Sequence, residues 1–130
     1  MRKIVINTCC GGFGVSPEAS HFIAERKNVR LVVEENVNGD RYYPYYYLTD
    51  QPYGEPVNMD ADLWERGTLQ NFRDLDRTDD DLIAAVESLG DLACMPYSRL
   101  KVVEIPDNVE WEIMEYDGTE WVAEKHRTWS

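Results

Sequence analysis

Two six-residue runs rich in β-branched and aromatic side chains, Trp111–Tyr116 and Thr119–Glu124, are separated by only Asp117-Gly118. A two-residue Asp-Gly connection favours a type I′ turn, whose positive φ values preserve the right-handed twist of the flanking strands. That turn dictates the pairing. Ile113 is predicted to face Val122 and Met114 to face Trp121, on opposite faces of the ribbon because side chains alternate along a strand. Both faces then carry apolar bulk. One can pack on the domain, and the other predicts a homodimer or larger closed oligomer, since large apolar patches are uncommon on monomers. With Leu100–Ile105 as a preceding strand closed by Pro106, the C-terminal third reads as an antiparallel meander.

The other end of the chain is organised differently. Lys3–Asn7 is apolar and barely alternates, the pattern of a strand buried on both faces. It breaks into Cys9-Cys10-Gly11-Gly12-Phe13-Gly14-Val15, after which Ser16-Pro17-Glu18 supplies an N-cap, a proline at the first helical position and an early carboxylate. A helix to about Lys27 follows, laying Phe22 and Ile23 on the sheet and ending at Asn28. Val29–Glu35 reads as a second strand, and Asn38-Gly39-Asp40 as a turn into Arg41–Tyr43, with Pro44 at an edge or a break. Periodicity fades from Thr49 to Asp76, where an inserted loop or flap is expected at about 49–76, with at most a short helix near Ala61–Glu65. Thr78 followed by Asp81 resembles a capping box. Leu82, Ile83, Val86 and Leu89 then share one helical face, and Gly90 is the stop. Together these elements predict one α+β domain over residues 1–130. It is two-layered, with a mixed or antiparallel sheet carrying two main helices on one face.

Composition narrows the partners. Thirteen Lys plus Arg against 25 Asp plus Glu give a net charge of −12, which disfavours direct binding to nucleic acid or to an anionic membrane. No run approaches the ~20 apolar residues of a membrane span, and the N-terminus turns polar at Asn7-Thr8, too early for a signal peptide, so a cytoplasmic protein is expected. Cys9, Cys10 and Cys94 form neither an even disulfide framework nor a zinc-like spacing, and with two His no metal and no cofactor are expected.

Residues 1–28 hold four basic and two acidic residues, a weakly basic island that contains the glycine-rich loop. Strand, glycine loop and helix N-terminus in that order suit an anion: glycines allow close approach, and successive N–H groups can form a nest. The loop matches neither the GxxxxGK[ST] nor the GxGxxG pattern, which excludes ordinary nucleotide-hydrolase and dinucleotide assignments. Thr8, Cys9, Gly11, Gly12, Phe13, Gly14 and Ser16 are the candidate ligand residues here. Tyr45 and Tyr47, from the cluster Tyr42–Tyr47, suit one wall of a base pocket. Arg77 is a phosphate candidate, and Lys125, His126, Arg127 and Trp129 form a basic-aromatic tail for a phosphorylated ligand. An enzymatic alternative uses Cys9 or Cys10 with His21 or His126, or paired acids such as Asp79 and Asp80, on a nucleotide-like ligand. No catalytic residue is assigned.

Lys3-Ile4-Val5-Ile6-Asn7-Thr8-Cys9 with Gly11-Gly12-Phe13-Gly14-Val15-Ser16, together with Lys101–Asp107, Val109-Glu110-Trp111, Glu115–Gly118 and Glu124–Trp129, resembles a family of small uncharacterised proteins of tailed bacteriophages and prophages. Arg77-Thr78-Asp79 and the helix after it fit as well. The resemblance covers about 80 residues of the 130. Two departures stand out: Cys10 occupies a position where the family commonly carries an aromatic, and the stretch from Pro52 to Asn71 is longer than usual. By analogy with phage anti-defence proteins, the expectation is a small protein that sequesters a nucleotide-derived immune messenger, cyclic ADP-ribose-like or a cyclic dinucleotide, without catalysis. Its tail would reach a neighbouring subunit's loop. A third expectation is an acidic inhibitor that blocks a host nucleic-acid enzyme by charge mimicry.

Overall fold

The computed structural model describes residues 1–9, 11–34, 45–58, 69–96 and 98–125. Strand β1 (Arg2–Asn7) organises the N-terminal half. Ile4, Val5 and Ile6 are all buried, as the unbroken apolar run predicts for a strand covered on both faces. It pairs antiparallel with β6 (Leu100–Ile105), Arg2 opposite Ile105 and Asn7 opposite Leu100. Val5 joins the main core with Ile23, Leu82 and Val86 from the two helices, α1 (Pro17–Lys27) and α2 (Asp80–Leu89). A second, mixed sheet has the order β4 (Val57–Asn58), β2 (Val29–Glu34), β3 (Tyr45–Pro52), β5 (Gln70–Asn71), with β4 parallel to β2. Leu31 and Leu48, opposite each other in β2 and β3, enter the same core. Helix α1 thus touches the second sheet as well as α2. The remaining pair is the terminal ribbon, β7 (Trp111–Tyr116) and β8 (Thr119–Glu124), whose second strand lies against β1. Two α-helices and eight strands, among the described residues, make an α+β fold.

The local signals explain the boundaries. The Ser16 hydroxyl accepts the Ala19 N–H at 3.1 Å, and Asn28 stops α1 in the left-handed region at φ 57, ψ 44. In α2 the cap is Asp79, one residue later than the capping-box pattern predicts. Its carboxylate accepts from the N–H groups of Asp81 and Leu82, while the Thr78 hydroxyl turns back towards Asp76. A carboxylate satisfies the same orphan donors and also meets the positive end of the helix dipole, so Asp79 outcompetes its neighbour. The ribbon has the predicted register, Ile113 opposite Val122 and Met114 opposite Trp121, and its turn has positive φ at both Asp117 (52°) and Gly118 (87°).

Other expectations shift. Strand β6 is paired with β1, so the antiparallel strands of the C-terminal third divide between two pairings. Part of the expected flap belongs to the sheet: β3 runs to Pro52, and β4, β5 and a 3-10 turn at Phe72–Asp74 follow, with Phe72 and Leu75 buried. The Asn38-Gly39-Asp40 turn, Arg41–Tyr43, Pro44 and the short helix near Ala61–Glu65 lie outside the described residues. No described helix is long and apolar enough to cross a membrane.

Candidate ligand site

Asn7, the last residue of β1, has no solvent exposure and uses its whole side-chain hydrogen-bonding capacity. Its Nδ2 donates to the carbonyls of Cys9 (2.7 Å) and Gly118 (2.8 Å), and its Oδ1 accepts from the N–H groups of Cys9 (3.3 Å) and Arg99 (2.8 Å). One amide therefore ties together the start of the glycine loop, the residue before β6 and the ribbon turn. A buried polar group is favourable only when satisfied in this way.

On the edge of β1 away from β6, two side chains stand in for a neighbouring strand. The Val5 N–H donates to the Arg77 carbonyl (2.9 Å), Arg77 Nη1 donates to the Val5 carbonyl (3.3 Å), and the Asn7 N–H donates to Glu120 Oε1 (2.8 Å). Arg77 and Glu120 are joined by a two-pronged ion pair, 2.6 Å at Nη1 and 2.9 Å at Nη2, with side chains only 17% and 10% exposed. The guanidinium also lies 3.7 Å from the centre of the Phe13 ring, a stacked cation–π contact. Strand edge, glycine loop, ribbon and the approach to α2 thus converge on one charge pair.

These contacts sort the predicted ligand residues. Arg77 is committed to Glu120, Val5 and Phe13, and Phe13 is half-buried beneath it. The Ser16 hydroxyl is buried, capping α1 and donating to the Leu92 carbonyl, and the Ser16 N–H donates to the Ala93 carbonyl. Leu92 and Ala93 therefore cover the N-terminus of α1, and the Gly14 carbonyl accepts from Ser98 Oγ. What faces outward is the first part of the loop. Gly11 is exposed, Thr8 is exposed, and Gly12 has φ +86 with nothing within 4 Å of where a Cβ would stand. Cys9 is half-buried beside Asn7.

Arg99 is a residue that motif and charge analysis passed over. Its carbonyl accepts both the N–H (2.8 Å) and the hydroxyl (3.1 Å) of Thr8, which places the backbone of an exposed arginine directly beside the loop. Its guanidinium has no ion-pair partner among the described residues. The signal that could have found it is positional: it precedes β6, and β6 pairs with the strand that feeds the loop.

The tail and the tyrosines sit elsewhere. Lys125 donates its N–H to the Glu110 carbonyl and helps line a shallow cleft of about 500 Å³ with Arg2, Asp107 and Trp111. Arg2 begins β1 and Asn7 ends it, so five residues, roughly 17 Å of strand, separate that cleft from the glycine loop within one chain. Tyr47 lies in β3 opposite Val32 and Asn71, and Tyr45 begins the same strand, with its side chain outside the description. His126, Arg127 and Trp129 lie outside the described residues, as does Cys10. Of the groups considered for an enzyme, Asp79 is the cap of α2 and accepts from Lys27 Nζ at 2.6 Å, and His21 packs edge-on to Tyr46 with ring centres 5.3 Å apart. Among the described residues no group of three or more His, Cys, Asp or Glu is arranged to hold a metal ion.

No family model matches the chain, and neither a curated protein nor a solved structure is significantly similar to it.

Proposed function

We propose that this chain is a phage anti-defence protein that binds a nucleotide-derived immune messenger at the Thr8–Gly12 loop and sequesters it unchanged. The observation that carries the binding reading is the contrast between the two sides of that loop. Its inner side is held by Asn7, Arg77 and Glu120, and its outer side is bare backbone at Gly11 and Gly12 beside Thr8 and Arg99. Residues held in place before binding, as Asn7 holds Cys9, lose little conformational freedom when a ligand arrives, and glycine lets a phosphate oxygen approach the backbone. Arg99 supplies an exposed cation without an ion-pair partner among the described residues. Asp79, offered for an enzymatic alternative, is employed as a helix cap, which favours binding over turnover. The phage setting rests on the resemblance of the chain's two ends to small phage proteins, and the messenger class, cyclic ADP-ribose-like or cyclic dinucleotide, on analogy with phage anti-defence proteins.

Native mass spectrometry of the protein from infected, defence-positive cells tests this. The expected result is a nucleotide mass added to the 15.1 kDa chain or its multiples and released intact by heat. Release of an altered nucleotide would assign an enzyme instead. Gly11→Val is expected to abolish retention without unfolding the chain, because Gly11 is exposed. Retention by this variant equal to wild type refutes the loop as the site.

A further inference from the structure

We propose that the outer face of the β7–β8 ribbon docks a basic protein surface. Alternation places Glu112, Met114 and Tyr116 of β7 with Thr119, Trp121 and Ala123 of β8 on one face, and Glu120 with Ile113 and Val122 on the other. The inner face is committed, since Glu120 binds Arg77 and Asn7, and Ile113 and Val122 are half-buried. The outer face is uncovered: Met114 is 40% exposed, Trp121 46% and Tyr116 77%. With two aromatic side chains of ~150–250 Å² each, this contiguous patch presents roughly 300 Å² of apolar surface, within the range that is often functional. Trp, Tyr and Met are the residue types that anchor interfaces, and the anchored inner face keeps them preorganised.

The surrounding charge decides the occupant. Residues 110–124 contain six carboxylates and no Lys or Arg. Glu120 is neutralised by Arg77, whereas Glu112 on the outer face, Glu110 before β7 and Asp117 at the turn are exposed and have no ion-pair partner among the described residues, as is also true of Glu115 and Glu124, which alternate to the other face. A second copy would set this rim against its duplicate, with −12 on each chain, and like-charge juxtaposition disfavours that pairing. A partner with Lys and Arg around an apolar pocket gains from both the rim and the centre, and is steered in by the long-range field. The expected occupant is therefore a basic protein. This inference is independent of ligand binding at the glycine loop.

A short amphipathic peptide with one lysine face and one leucine face is a suitable probe, titrated against the full chain at low and moderate salt. Trp121→Ser is expected to raise its dissociation constant at least about tenfold. Glu112→Gln, at the one carboxylate whose strand position shares the face of Met114 and Trp121, is expected to raise it about twofold and to flatten its salt dependence. Asp80→Asn, an equal charge change on exposed α2 surface, should leave it unchanged. Tyr116→Ser serves as the second anchor variant should Trp121→Ser fold poorly. Equal weakening by Asp80→Asn, or no effect of either anchor variant, overturns the proposal. So does wild-type light scattering at twice 15.1 kDa that falls to 15.1 kDa in Trp121→Ser, since the face would then be occupied by a second copy.

Discussion

Asn7→Asp changes one atom of a fully buried side chain, and its cost can be worked out from the partners. The replaced amide nitrogen faces the carbonyl oxygens of Cys9 at 2.7 Å and Gly118 at 2.8 Å, both acceptors only. An ionised carboxylate in that position loses two hydrogen bonds and places a negative charge against two oxygens, with Glu120 Oε1 already on the neighbouring backbone N–H. Breaking a buried polar arrangement by leaving an uncompensated charge costs ~3–5 kcal/mol, and the exposed loop favours the lower figure. At ~1.5 kcal/mol per molar urea, a 3 kcal/mol loss lowers the unfolding midpoint by about 2 M at pH 7. Protonation restores one donor, so the folded-state pKa of the introduced carboxyl is raised above its unfolded value of about 3.9. A raised pKa means that its favourable contribution is present at low pH and lost as pH rises through the folded value. The deficit relative to wild type should therefore shrink to about 1 kcal/mol, one missing hydrogen bond, by pH 4. Tryptophan-monitored urea unfolding of both proteins at matched pH measures it. Coincident midpoints at pH 7, or a deficit that does not change with pH, would refute the assignment of Asn7 as the saturated centre of the loop's support.

Arg77→Met is expected to cost about 3 kcal/mol because it strands a mostly buried Glu120, and a double-mutant cycle with Glu120→Gln should return a coupling of at least about 1.5 kcal/mol in urea titrations. Lys27 bonds Asp79 at 2.6 Å and Asp81 at 2.9 Å. Burial pushes the Lys27 ammonium down and the Asp81 carboxyl up, but the bonds between them, with Arg26 also on Asp81, outweigh burial and leave Lys27 raised and Asp81 lowered. Their contribution should fade as pH falls through the depressed Asp81 value and as pH rises above the ordinary lysine range, and thermal melts of Lys27→Met should show both limbs flattened, with about 1 kcal/mol lost between them. Gly118→Ala, at φ 87, should cost about 1 kcal/mol in the same melts, whereas Gly14→Ala, whose Cβ would meet only Met95 Cγ at 3.5 Å, should cost almost nothing.

The elements that sequence analysis placed well are those governed by neighbours in the chain. Ser16-Pro17 and Asn28 bound α1, Asp117-Gly118 sets the ribbon register, and the β-branched run to Asn7 identifies β1. What it placed less well depends on distant partners. Arg77 looks like a phosphate ligand because the residue that neutralises it, Glu120, is 43 positions away, and Ser16 looks available because the Leu92 carbonyl that accepts its hydroxyl's hydrogen bond lies 76 positions away. The same long-range pairing hid Arg99, which reads as an ordinary surface charge until Thr8 is found on its carbonyl. Strand β3 was obscured by the prolines that flank it in sequence, Pro44 before its start and Pro52 at its end, although Tyr45 to Leu48 pair with β2 and Tyr47 and Leu48 also pair with β5.

These long-range pairs also bear on the proposed binding of an anionic ligand by an acidic chain. Of the two arginines nearest the loop, one is withdrawn into the fold, where Glu120 cancels its charge and Phe13 covers its plane, and its work is to hold backbone in place. The other, Arg99, is exposed at the end of the loop that remains open. Separating the two tasks matters physically, because a cation already bound to a carboxylate cannot also compensate a phosphate without breaking the pair. The ribbon is divided in the same way: Glu120 is spent inward on Arg77 and Asn7, while Glu112 remains exposed on the outer face with Met114, Tyr116 and Trp121. Because the Gly118 carbonyl rests on Asn7, the ribbon turn is part of the loop's inner support, and the two surfaces are joined through this buried amide as well as through Glu120, Arg77 and Phe13. Any displacement of the turn by a partner on the outer face must stretch that hydrogen bond, so the stiffness of the Asn7 contacts sets how independently the loop and the ribbon can act.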